Sequence, residues 1–309
     1  PFSTERHQMF ARKAKTKPDN LPAKIDDDPG AGARILSHLI ETWRQATIDF
    51  VDFARTIDAS QWETPTALDG WNVKDVAAHC AHLEAVLAGG PEETVDIGSP
   101  THVKNLMGAY TEQGVVARKG RTMPELCDEI EKSSRQTHEA LRVEPPTDPD
   151  ARPTIPTPGG VPWTIGTLLS NRPLDLWMHE QDLRRAVGQP GGFESLAASH
   201  TIDVLGAGLG MVVGKRARPP EGTSVQIDVP LAGRSWRLVI NDGRAVEDPN
   251  TDPATVKITL SPEDFVGLGG GRLLPPERPL PDRDGREEPR HRARRRRPRP
   301  RRGAGRRRG

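Results

Sequence analysis

Two residues whose types and spacing suit metal chemistry lie within one apolar stretch of the chain. Asp175 and His179 are four residues apart, and an α-helix places that spacing on one face. A carboxylate oxygen and an imidazole nitrogen are both accepted by divalent metals, and such a site needs at least one more protein ligand. His79 is available for this role in a separate segment. Three ligands would leave open coordination positions, which is typical of a catalytic metal.

The same residues also have simpler interpretations. A histidine on the inner face of a helix is often a hydrogen-bonded core residue, and Asp175 with His179 could be an ordinary helix pair worth about 0.2–0.5 kcal/mol. Competing ligands exist as well, because His82 lies one turn from His79 and Glu180 adjoins His179. On spacing alone, the metal site is one of two open interpretations.

Two further charged residues beside these ligands each have two possible roles. Asp182 lies one turn from His179 and could orient its imidazole, or it could pair with Arg185 one turn further on. Arg172 shares the face of Asp175 and could bind a substrate carboxylate, or it could simply pair with Asp175.

The segments that must position these residues have the hydrophobic pattern of helices. Apolar residues recur every three or four positions from about residue 33 to 57, and a helix with an Asn72 cap carries His79. Asp175 and His179 belong to a helix that ends near Gly188. Cap and periodicity signals place that last helix over about 164–188 and predict further helices over about 101–117, 122–141 and 195–213.

The pattern changes after residue 190, where apolar and polar residues begin to alternate. The alternation predicts strands over 225–229, 236–240 and 256–260, with a last helix from Ser261. The sequence therefore predicts an α+β protein in which a helical bundle precedes a small α+β domain. We expect a flexible N-terminal segment, a metal-binding bundle, the α+β domain and a disordered Arg- and Pro-rich tail, over 1–32, 33–190, 191–272 and 273–309 respectively.

The formal net charge of +1 is the sum of two regions of opposite charge. From Arg283 to the C-terminus there are 14 arginines and three acidic residues, which leaves a net charge of −10 on residues 1–282. An acidic body is a poor surface for nucleic acid. The tail is either an arm for nucleic acid or acidic partners, or the product of a GC-rich gene translated out of frame. We therefore expect no nucleic-acid partner unless the tail is genuine.

The chain has few features of a secreted or membrane protein. Its two cysteines, Cys80 and Cys127, give no disulfide framework and suit a reducing cytosol. The longest uncharged apolar run, 204–213, is ten residues, short of the ~20 needed to span a bilayer. The first residue is Pro1, which we take to mean a processed, truncated or partial chain. We expect a cytoplasmic protein with no membrane partner.

Three motifs resemble a known family. They are GWNVKDVAAH at 70–79, DLWMHEQDLRRAVG at 175–188 and VVGK at 212–215, and they resemble the mycothiol-dependent maleylpyruvate isomerase family, which is similar in turn to DinB-like bundles. The resemblance runs from about residue 33 to 272. It implies a four-helix bundle that binds zinc, followed by a domain similar to sterol carrier proteins.

The resemblance also assigns residues to the site. It implies that His79, Asp175 and His179 hold the metal, and that Arg272 takes the place of an arginine that contributes to catalysis. The isomerase has Glu where this chain has Asp175, so the carboxylate here is one methylene shorter.

The implied chemistry needs a thiol from outside the chain, because Cys80 and Cys127 have no His and Asp partners and are expected to be core or interface thiols. A metal-bound thiol is deprotonated and becomes a nucleophile at neutral pH. The resemblance thus implies a metal- and mycothiol-dependent enzyme that isomerises, or transfers the thiol to, a small electrophilic or unsaturated acid. The alternative is a non-enzymatic binding module for a small apolar ligand.

Overall fold

The computed structural model describes residues 30–273 of the chain. Residues 1–29 of the predicted flexible segment 1–32, and residues 274–309 of the predicted tail 273–309, lie outside the described residues, and the first helix begins at Ala31, inside the segment predicted to be flexible. Between them are seven α-helices of eight residues or more and one four-stranded sheet. In chain order the helices are α1 (Ala31–Thr56), α2 (Val73–Leu87), α3 (Leu106–Ala117), α4 (Met123–Val143), α5 (Ile165–Val187), α6 (Leu196–Ala207) and α7 (Pro262–Gly269).

Four of the long helices form a bundle. Helix α1 packs on α4 and α5, α2 packs on the same two helices from the other side, and α3 covers α2. Apolar side chains at three- and four-residue steps fill the centre, as the periodicity predicts, and the largest that are fully buried include Trp43, Phe50 and Trp177. This arrangement places one face of α2 against one face of α5.

The bundle helices begin and end where the sequence supplies caps. Asn72 and Asp75 form a reciprocal capping box at the start of α2, and Thr122 and Glu125 do the same for α4. Gly188 ends α5 in the left-handed conformation, with φ of 69°. These signals explain why α2, α4 and α5 match their predicted bounds closely.

The sheet consists of β1 (Ser224–Val229), β2 (Arg234–Asn241), β3 (Arg244–Glu247) and β4 (Val256–Thr259), in the order β3-β2-β1-β4. Strand β1 pairs antiparallel with β2 and parallel with β4, and β2 pairs antiparallel with β3. Val225, Ile227 and Val229 alternate inward, and Trp236 stacks on Phe265 of α7 with the ring centroids 5.1 Å apart. The sheet thus packs one face on helices.

The predicted α+β class is confirmed, and three details differ. The third helix begins at Leu106, five residues later than predicted, because the Asn105 side chain caps it. The helix predicted over 195–213 breaks at Gly208 and continues as a short turn and a π-helix, Val212–Ala217. Strand β3 is missing from the prediction because it has four mostly exposed residues. The boundary between domains at residue 190 stays a prediction.

One described segment, Leu196–Ala217, is long and apolar enough in composition to cross a membrane. It comprises α6 and the helical turns that follow, and a third of its residues are buried within the fold. Helix α6 packs on α1, α5 and α7, and the later turns contact β3. Packing against these elements accounts for the buried apolar residues of this segment.

Candidate metal centre

The three predicted ligands converge between α2 and α5. One nitrogen from each of His79 and His179 and one oxygen of Asp175 lie within 4.8 Å of one another. His79 Nε2 is 3.8 Å from Asp175 Oδ2, and His179 Nε2 is 3.6 Å from Asp175 Oδ1. The two imidazoles meet edge to face, with centroids 4.8 Å apart. Within residues 30–273, this is the group of His, Cys, Asp and Glu side chains whose geometry suits one ion.

Buried hydrogen bonds hold His179 in one orientation. Its Nδ1 lies 3.1 Å from Asp182 Oδ2, and Asp182 also accepts two hydrogen bonds from Arg272 at 3.1 and 3.0 Å. Because a carboxylate paired with arginine is an acceptor, His179 Nδ1 carries the proton and Nε2 presents its lone pair towards Asp175. Of the two roles open for Asp182, the structure supports the orienting one, since Arg185 instead lies 3.8 Å from Glu263.

A buried ion pair supports Asp175 from the other side. Arg172 donates to Asp175 Oδ2 at 3.0 Å and to Glu84 Oε1 at 2.8 Å. Trp43 Nε1 donates to the same Glu84 oxygen at 3.2 Å. Arg172 and Glu84 are both fully buried, so Arg172 is a structural partner of Asp175 and has no exposed edge for a substrate.

Burial and neighbouring charges set the protonation of the site. Burial lowers the pKa of His79 to about 3, so its imidazole is neutral at pH 7 and has a lone pair to share. Burial opposes ionisation of Asp175, but His179, Arg172 and His79 outweigh it and hold the pKa of Asp175 well below its usual range. The set therefore combines a neutral imidazole with an ionised carboxylate, which are the forms that bind a divalent metal.

The residues present fit a divalent ion. The Nε2 atoms of both histidines and the Asp175 oxygens face one another at 3.6 and 3.8 Å, too far apart for hydrogen bonds. A cation among them would satisfy these facing acceptors, and the imidazole and carboxylate donor set suits zinc and similar divalent metals.

A comparison with protein families identifies the region that carries these residues. Residues 43–184 match the model of the mycothiol maleylpyruvate isomerase N-terminal domain. This segment, less than half of the chain, is similar to that domain. The resemblance noted in the sequence is thereby confirmed for the bundle. All three converging residues lie inside the matched segment, whereas Arg272 and the sheet lie beyond it.

Solved structures give a weaker likeness. The mycothiol-dependent maleylpyruvate isomerase and a mutant of it align with 77% of this chain and 89% of their own, at 17% and 16% identity and a TM-score of 0.49 each. No curated protein matches the chain. The likeness to that family therefore rests on residues 43–184.

The competing ligands, Glu180 and His82, do not join the group formed by His79, Asp175 and His179. Glu180 is bound by Arg184 at 2.6 Å. His82 is fully buried beside Tyr110, with ring centroids 5.2 Å apart, and burial lowers its pKa to about 4. Burial also raises the pKa of Cys80 well above its usual range and that of Cys127 to about 11, as expected for core thiols.

The sequence does not predict the role of Glu112, whose carboxylate holds the indole of Trp71 beside the ligands. The indole of Trp71 lies 5.0 Å from the His79 ring and 6.5 Å from the His179 ring, measured between centroids. Its Nε1 donates to Glu112 Oε2 at 2.8 Å, and His102 Nε2 lies 3.0 Å from the same oxygen. Glu112 of α3 therefore fixes the aromatic wall of the site. No local pattern announces this, because Trp71 and Glu112 are 41 residues apart.

Proposed function

We propose that this protein is a metal- and mycothiol-dependent enzyme of the maleylpyruvate isomerase type. The observation that carries the proposal is the convergence of His79, Asp175 and His179 on one point, inside a segment that matches this family. We take mycothiol as the thiol because the matching family is described by it, and the donor set favours zinc as the metal. The substrate is a small electrophilic or unsaturated acid.

Each residue at or beside the metal site would have its own role in the reaction. His79, Asp175 and His179 would hold the ion, and three protein ligands leave room for a small molecule. Such an ion, when bound, lowers the pKa of a coordinated thiol so that sulfur attacks as a thiolate at neutral pH. Arg172 keeps one oxygen of Asp175 occupied at 3.0 Å, and Asp182 keeps His179 Nε2 directed at the site.

The protein itself has no cysteine suited to the nucleophilic role. Cys80 and Cys127 are buried, and burial raises the pKa of each thiol, so both are protonated at neutral pH. An external thiol therefore supplies the reactive sulfur in this proposal. Addition to a cis double bond, rotation and loss of the thiol would isomerise the substrate, whereas retention of the thiol would make the reaction a transfer.

Several finer expectations belong to this proposal. The family resemblance implies Glu at the position of Asp175, whose side chain is one methylene shorter, so isomerisation and transfer are the two reactions to be distinguished. Arg272, the predicted catalytic residue, contacts Asp182 at 3.0 Å. We also propose that the enzyme works in the cytoplasm on small molecules.

The test is an activity assay on the full chain loaded with zinc. With maleylpyruvate as substrate, adding mycothiol should raise turnover, and a chelator should abolish the gain. The variant His79→Ala should lose both metal and activity while retaining its helical circular dichroism. Activity that needs metal but no thiol would contradict the proposal and indicate a metal-bound water as nucleophile. Binding of an apolar dye without metal or turnover would favour the alternative, a non-enzymatic binding module.

A further inference from the structure

The carboxylate of Asp182 joins two distant parts of the chain. It lies on α5, fully buried, and contacts His179 Nδ1 at 3.1 Å. On its other side it accepts from Arg272 Nε at 3.1 Å and from the Arg272 NH2 group at 3.0 Å. Arg272 follows α7 and is 90 residues away from Asp182 in sequence. A continuous chain of hydrogen bonds thus runs from Arg272 through Asp182 to His179, one of the three converging residues.

We propose that Arg272 is a positioning residue of the metal centre, which orients His179 through Asp182 instead of contacting the substrate. The inference rests on the proposed function, because it assumes that His179 binds the ion. It replaces the catalytic role that the family resemblance implies for Arg272.

The geometry of the guanidinium supports this role. Arginine binds a carboxylate most strongly through two parallel N–H groups, and Arg272 uses its Nε and NH2 groups in this way on Asp182. Its third nitrogen donates to Gly270 O at 2.7 Å. The edge that would hold a substrate carboxylate side-on is therefore already occupied.

The buried position of Asp182 makes the pair necessary. An ionised carboxylate without a partner is costly in the interior, and the two arginines within a turn, Arg184 and Arg185, lie against Glu180 and Glu263. With Arg272 in place, Asp182 stays an acceptor in a fixed plane, so His179 Nδ1–H has one direction in which to donate. Such supports of a ligating histidine commonly contribute 10–100-fold to metal affinity.

The backbone around Arg272 is built to hold it against α5. The Arg272 amide donates to Gly267 O at 2.8 Å, and Gly271 adopts a positive φ of 72°, which glycine permits. A Cβ on Gly270 would lie 2.3 Å from the end of the Met178 side chain and 3.0 Å from Val266 O, so a larger residue there would push Met178 aside. The turn after α7 therefore fixes the position from which Arg272 reaches Asp182.

The first test is zinc affinity, measured by competition with a chromophoric chelator. The variant Arg272→Gln should bind Zn²⁺ about 10–100-fold more weakly, and Arg272→Lys, which keeps the charge but not the two-pronged geometry, should lie between it and the parent. The matched control is Arg185→Gln, an arginine near the same turn that does not contact Asp182. It should leave the affinity unchanged.

Two further measurements separate positioning from a general structural role. In a double-mutant cycle, Arg272→Gln should add little to the loss caused by Asp182→Asn, because both act on one chain of hydrogen bonds. Nitrogen-15 NMR of the metal-free protein should show His179 protonated at Nδ1 in the parent and a mixture of tautomers in Arg272→Gln. Helical circular dichroism should be the same in both.

The outcomes distinguish this inference from the proposed function. If Arg272→Gln raises KM for the acid substrate while zinc affinity and the His179 tautomer stay unchanged, Arg272 contacts the substrate and the inference is wrong. Additive losses in the cycle would also overturn it. If His79→Ala keeps full zinc affinity, the metal site itself is misassigned and the proposed function fails.

Discussion

The buried ion pair behind Asp175 allows a quantitative prediction. Arg172 and Glu84 have no exposed side-chain surface and are joined at 2.8 Å, while Arg172 also donates to Asp175 at 3.0 Å. Replacing Arg172 with Met leaves the Glu84 carboxylate buried without its cation. Loss of one partner of such a pair costs about 3–5 kcal/mol. For a domain of this size, that corresponds to a fall in Tm of roughly 6–20 °C.

A second substitution tests the electrostatic origin of this loss. Glu84→Gln removes the stranded charge but keeps an oxygen for Trp43 Nε1, which donates to Glu84 at 3.2 Å. The double variant, Arg172→Met with Glu84→Gln, should therefore be more stable than Arg172→Met alone, with a coupling energy of about 1–3 kcal/mol. Arg44→Met is the matched control, since the Arg44–Glu41 pair is about half exposed and should contribute less than about 1 kcal/mol.

The assay is urea unfolding followed by far-ultraviolet circular dichroism, with chelator present so that metal binding does not add to the stability of the folded state. A loss below about 1 kcal/mol for Arg172→Met, similar to that for exposed pairs, would refute the reasoning. A double variant no more stable than the single variant would refute the electrostatic cause.

Two other predictions concern the metal-free protein. Burial lowers the pKa of His79 to about 3 and the pKa of His82 and His138 to about 4. These three histidines take up protons near pH 6.5 in the unfolded chain but not in the folded protein, so the free energy of unfolding in urea should fall from pH 6.5 towards pH 4, by up to about 1.4 kcal/mol per pH unit for each histidine. Equal stability at pH 7 and pH 5 would contradict this. A Cβ at Gly114 would lie 2.2 Å from the His82 ring, so Gly114→Ala should lower the free energy of unfolding in urea by about 1–3 kcal/mol. The control Gly120→Ala, whose Cβ would meet nothing within 4 Å, should lower it little. Equal effects would contradict the packing argument.

The sequence predicts the helices of the bundle well because their signals are local. Periodic apolar residues and the Asn72 and Thr122 caps define α2 and α4 within a few residues. Strand β3 carries no such signal, since its four residues are mostly exposed and gain their structure by pairing with β2. The late start of α3 depends on one cap, Asn105, that the sequence does not distinguish from its neighbours.

The site divides in the same way between local and distant signals. The spacing of Asp175 and His179 marks them directly, and the family motif adds His79, although only the structure brings the three within 4.8 Å. The partners that support them cannot be predicted by spacing, because Glu84 reaches Arg172 across 88 residues. Arg185 is a local candidate partner for Asp182, but in the structure Asp182 pairs with Arg272, which is 90 residues away.

The central claim is that His79, Asp175 and His179 bind one divalent ion, and elemental analysis tests it most directly. After equilibration with zinc and removal of the excess, the full chain should retain one ion, and His79→Ala should retain almost none with unchanged helical circular dichroism. The control His82→Leu, one turn along α2, should keep its ion, because His82 lies outside the converging group. A parent chain that retains no ion, or a His79→Ala variant that retains a full one, would contradict the account.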